Sequence, residues 1–143
     1  MPTPYESATL NLRLYELRRE PVLREARIWF LREFNPETLA EAVALVSGER
    51  NSSFRMVIGY WEMAASLVTT GAIDAEAFLA ANNEVLAAFG KIEPLLAEIR
   101  RETGEKDFCK HLEAVVLAAP GAREIMKRRS DAWRAAAKQS QTT

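Results

Sequence analysis

Tyr60-Trp61-Glu62 sets two aromatic rings and a carboxylate side by side midway along an apolar stretch. Aromatic walls with a few convergent polar groups are what small-ligand pockets use. Trp61 falls on an inward apolar stripe, where packing in a core accounts for it better than a pocket does. Glu62 either faces solvent or pairs with a cation in a half-buried setting. Arg100 and Arg101 are the cations available for such a pair, and opposite charges there would fix helix register more than they add stability. Tyr60, Trp61, Glu62 and Arg100 are therefore the candidate binding residues, and no catalytic residue is assigned.

Other chemistries are excluded by spacing. Cys109 and His111 are the chain's single cysteine and single histidine, too few for an internal disulfide or a structural zinc site. Two positions apart on a helix they point about 200° from one another, so they cannot converge on one ion or share a proton. A dinuclear carboxylate site needs Glu-x-x-His, and Phe108 stands three before His111. The glycines at 48, 59, 71, 90, 104 and 121 are never closer than eleven residues, so neither a P-loop nor a dinucleotide-binding turn can form. No serine lies in a Gly-x-Ser-x-Gly elbow. With Gly71 at position six of a calcium loop, Ala77 takes position twelve, where a bidentate carboxylate is required. No cofactor and no metal is expected.

The elements that must position these residues read as helices throughout. Leu10, Leu14 and Leu17, then Ile28, Leu31 and Phe34, recur at helical intervals on either side of Pro21, which predicts a kink or two helices meeting there. Asn35-Pro36-Glu37 reads as a cap and first turn of a short helix ending near Ser47-Gly48. After a cap from Asn51-Ser52-Ser53, the residues Phe54, Val57, Ile58, Trp61, Ala65 and Val68 mark a central helix that Gly71 closes in a left-handed turn. Asp74 caps one long helix over 75–103, with Gly90 and Pro94 as sites of any bend. Asp107 begins a further helix, and Pro120-Gly121 separates it from the last.

With 143 residues, 48% apolar and 27% charged, the chain is expected to be a single helical domain over 1–143, frayed near 1–5 and 138–143. The net charge of −1 draws it to neither nucleic acid nor anionic lipid. Residues 1–34 carry six basic and five acidic groups, residues 35–120 seven and thirteen, residues 121–143 six and two. A basic last helix against an acidic body is expected to dock there with its arginines in solvent. Nucleic-acid binding through Arg123, Lys127, Arg128, Arg129 and Arg134 is not expected, because the acidic body opposes phosphate. The longest uncharged stretch, Met63 to Ile73, has eleven residues, short of the roughly 20 a membrane span needs. With no leader pattern at the N-terminus, a cytoplasmic location is expected.

Tyr60-Trp61-Glu62, then Leu67-Val68-Thr69-Thr70-Gly71-Ala72-Ile73-Asp74, then Pro94 to Arg100 form a pattern that resembles a family of small bacterial all-helical proteins of unknown function, over about Pro21 to Val116. Many such proteins look membrane-anchored at the N-terminus, and this chain departs from them there. The resemblance implies a fold and no chemistry. The expectation is an all-α, antiparallel bundle of five to seven helices, serving as a non-enzymatic protein-interaction module that self-associates as a homodimer or presents an apolar helical surface to another protein. The alternative is a small-molecule-binding or catalytic bundle with a pocket near Tyr60, Trp61 and Glu62.

Overall fold

The computed structural model describes residues 1–142. Among them are nine α-helices and no strand: α1 (Pro4–Arg18), α2 (Pro21–Glu33), α3 (Leu39–Val46), α4 (Asn51–Thr69), α5 (Ala75–Ala81), α6 (Glu84–Gly90), α7 (Leu96–Thr103), α8 (Lys110–Leu117) and α9 (Ala122–Thr142), with single 3-10 turns at Gly48–Arg50 and Glu93–Leu95. Position 143, the last of those expected to fray, lies outside the described residues.

Nine segments replace the expected five to seven chiefly because the span 75–103 is not one helix. Asn82 leaves the helical conformation, and its side-chain amide donates to the Phe78 carbonyl and to Asn11. That local bond competes with the ladder and ends α5. Pro94 cannot donate an amide and disfavours helical backbone in Glu93, so the chain tightens into a 3-10 turn before α7. Gly90 also admits α9: a Cβ there would stand 3.0 Å from Met126 Cβ.

Pro21 does divide two helices; the Glu20 carboxylate caps the second by accepting the Leu23 amide. Gly71 adopts φ +88° and Asp74 caps α5 by accepting the Ala77 amide. Three caps fall elsewhere than expected. Thr38, not Asn35, caps α3, because the Asn35 side chain is held by the Arg32 carbonyl and Lys91. α4 starts from the preceding 3-10 turn without a side-chain cap. α8 begins at Lys110 rather than Asp107, because Cys109 takes left-handed backbone at φ +59°.

One core runs from Leu14 to Met126, with α4 packed against both α2 and α8, and α6 against α9. Trp29, Phe30, Phe34 and Phe54 join in an aromatic cluster whose closest pair, Phe30 and Phe34, stacks at 4.9 Å. Along α1 the leucine stripe holds in part: Leu14 is buried and Leu10 packs against the core, but Leu17 is exposed, and Ser7 and Arg18 are buried in the same helix. The last helix ties several of its cations to the body, Arg123 to Glu93 and Arg129 to Asn83.

Candidate functional site

The four residues singled out in the sequence divide between two places. Glu62 and Arg100 grip the start of α8. Cys109, in the N-cap position, offers that helix no side-chain oxygen. Glu62, reaching over from α4, accepts the His111 amide at 3.1 Å and the Leu112 amide at 2.9 Å. Helix N-termini leave such amides without intrahelical partners, and a carboxylate also complements the helix dipole. Arg100 binds the same segment from α7: Nε and Nη2 donate to the Phe108 carbonyl, and Nη1 meets Glu113 at 3.1 Å. The two charged groups are thus joined through backbone, not directly. His111 Nδ1 lies 2.6 Å from the Thr69 hydroxyl. Burial, with Glu62 nearby, pushes the Cys109 thiol up to about 12, so it does not ionise as a nucleophile near neutrality.

Tyr60 and Trp61 lie on the other side of α4, beneath α1. Trp61 is fully buried and Tyr60 nearly so, their rings edge to face at 4.9 Å. The Tyr60 hydroxyl donates to the Leu14 carbonyl, and burial raises its pKa to about 12. Above them sits Arg18, 9% exposed, its guanidinium 5.5 Å from the centroids of both the Trp61 and Tyr15 rings. Arg18 donates to the Asn82 side-chain oxygen, and the Asn82 amide donates onward to Asn11. Alongside, Arg27 makes a two-bond pair with Glu84 at 2.9 and 2.7 Å and also donates to the Arg18 carbonyl.

This polar floor underlies two adjoining hollows. One, of about 870 Å³ between α1 and α5, is walled by Pro4, Ala8, Leu12, Tyr15, Ala77 and Ala81, with Asp74 among its lining. The other, of about 850 Å³ at the α1–α2 corner, is lined by Arg18, Arg19, Arg24 and Arg27 together with Glu84. Tyr15, Arg18 and Ala81 belong to both. The two hollows, one mainly apolar and the other basic, thus meet at these three residues, with a buried guanidinium at the junction.

Sequence reasoning missed Arg18, Asn82, Arg27 and Glu84. One signal was present: Ser7, Asn11, Leu14 and Arg18 follow helical spacing, so three polar residues share the face of α1 that the core covers. Among the described residues no group of three or more His, Cys, Asp or Glu side chains converges on a metal-sized site, and no helix is long and apolar enough to cross a membrane.

Residues 5–118 match the family described as Domain of unknown function (DUF4760), and the chain belongs to that family. No curated protein and no solved structure matches it.

Proposed function

We propose that this member of the DUF4760 family is a non-enzymatic binding module, a single helical bundle whose working surface is the groove between α1 and α5. The observation that carries this reading is Arg18. It is buried beside a largely apolar wall, held by Asn82 and the rings of Tyr15 and Trp61, and among the described residues no carboxylate pairs with it. A charge held out of water without an opposite charge is costly, and a fold keeps one where something else completes it. A contact that merely joins two helices has no use for it, so the groove favours a ligand over a packed protein surface. The binding residues are then Arg18, Tyr15 and Leu12, with Trp61 and Tyr60 as their support; Glu62 and Arg100 hold α8.

Nile red, a neutral dye that brightens in apolar surroundings, tests the groove itself. Saturable brightening is expected with the parent chain. It should weaken at least about tenfold in Ala81→Trp, which fills the junction from an exposed position. No brightening, or an unchanged Ala81→Trp, would remove the groove reading.

A second reading, self-association, is favoured by Tyr5, Leu12 and Tyr15, which are 80%, 64% and 50% exposed along α1, the last two on the rim of the groove. Exposed apolar patches of this kind mark interaction surfaces. Light scattering at micromolar concentration is expected to show a dimer that Tyr5→Glu dissociates; a monomer throughout would end this reading.

A further inference from the structure

We infer that the groove takes an amphipathic monocarboxylate, its head group on Arg18 and its apolar tail along α1 toward Ser7. This rests on the groove being the binding surface and adds the chemical class of its ligand.

The head group follows from a charge count at the junction. Arg18 and Arg27 bring two positive charges, and Glu84, engaged by both Nε and Nη2 of Arg27, brings one negative charge. The groups that Arg18 touches are neutral, the Asn82 side-chain oxygen, the Tyr60 hydroxyl and the rings of Tyr15 and Trp61, and the Arg19 guanidinium stands 5.7 Å from the same Tyr15 ring. Arg18 is left without an opposite charge, and its side chain faces both hollows. A single negative charge placed on Arg18 balances that side chain. The planar guanidinium also suits a carboxylate, which it can meet with two parallel N–H donors. Arg19 and Arg24 at the basic end add long-range attraction that draws an anion to that end.

The tail follows from the other half. From Arg18 to Ser7 the groove follows α1 for about 16 Å at the α-helical rise of about 1.5 Å per residue. Ala8, Ala77 and Ala81 keep it shallow and smooth, and Leu12 and Tyr15 supply apolar contact. Asp74 stands at the far end, where its carboxylate caps α5. A second anionic group on the ligand would meet it, so dicarboxylates of the same length are disfavoured.

Isothermal titration of the full chain with decanoate, decanol, acetate, sebacate and phosphatidylglycerol vesicles tests this. Decanoate is expected to bind at one site, and decanol and sebacate at least about tenfold more weakly, the factor that one charge-assisted hydrogen bond supplies. Acetate and the vesicles are expected to give no heat. Arg18→Met should bring decanoate down to the level of decanol, which does not need the guanidinium. If that variant does not fold, the Arg18 Nε–H resonance of the parent serves instead: decanoate shifts it and decanol does not. Equal binding of decanoate and decanol, or a preference that survives Arg18→Met, would overturn the assignment of the ligand and leave the groove standing. Heat from vesicles and none from decanoate would overturn it in favour of a membrane surface. Absence of Nile red binding by the parent chain would show that the groove reading itself had failed.

Discussion

Glu62→Ala is expected to lower the unfolding free energy by about 2–4 kcal/mol, read as a fall in the urea midpoint at unchanged slope. Both carboxylate oxygens are spent on backbone amides, those of His111 and Leu112; a hydrogen bond to a charged group contributes roughly 1.5–3 kcal/mol, and because the two share one half-buried carboxylate their joint loss is less than the sum. Nothing replaces them here, because the residue in the cap position is Cys109, buried and in left-handed backbone. Arg100 holds the Phe108 carbonyl on the other side of that residue. Removing Glu62 therefore frees one side of a clamp around a strained turn, and faster hydrogen exchange at the His111 and Leu112 amides should accompany the loss. Glu62→Gln keeps one acceptor oxygen and is expected to retain about half of the stability. A change below about 0.5 kcal/mol in Glu62→Ala, the range of ordinary surface substitutions, would refute the clamp.

The second large effect is a rise in stability as pH increases through 7 to 9. Burial, with Arg134 nearby, pulls the Lys91 ammonium down from 10.5 to about 7. The buried nitrogen donates to the Leu31 carbonyl and the Asn35 side-chain oxygen and faces the Trp133 ring. Between pH 7 and 10.5 the unfolded chain binds this proton and the folded chain has released it, so stability grows with pH across that interval. Two groups act in the opposite sense. Burial raises Cys109 from 9.0 and Tyr60 from 10.0, each to about 12, so the folded chain keeps protons there that the unfolded chain loses. Their contribution declines as pH passes upward through those intervals. The sum is a climb from pH 7, a level stretch between about 9 and 10, and a fall above. The climb should amount to roughly 1–2.5 kcal/mol, since one proton sets a ceiling of about 2.7 kcal/mol over two pH units and relaxation around a buried lysine lowers it. Urea unfolding at a series of pH values measures it, and Lys91→Met should flatten the profile below pH 9. A parent profile that is flat or falling from pH 7 to 9 would contradict the buried ammonium.

Much of the scaffold is legible in the residues themselves. The apolar spacing of Val57, Ile58, Trp61 and Ala65 marks α4, and Pro21, Gly71 and Asp74 stop and start helices at their own positions. Each of these signals acts on backbone within a turn of its own residue, so no knowledge of the chain's path is needed. Asn82 shows where this local legibility ends. Its side chain interrupts what reads as one long helix, and it is held by Asn11 and Arg18, residues from the other end of the chain.

The sites were decided at that longer range. Arg18 meets Asn82 across 64 positions, Arg27 meets Glu84 across 57, and Glu62 reaches the Leu112 amide across 50. Helical spacing shows which face of a rod is apolar and leaves open which rod will lie against it. By itself the sequence determined that the chain is helical, that Trp61 is buried, and that the familiar metal and nucleotide motifs are missing. Only the tertiary structure decided that Glu62 caps a distant helix and that Arg18 lies buried beside a groove without an opposite charge. The physical reason is that desolvation and charge pairing depend on distances through space, whereas periodicity and capping depend on neighbours along the chain.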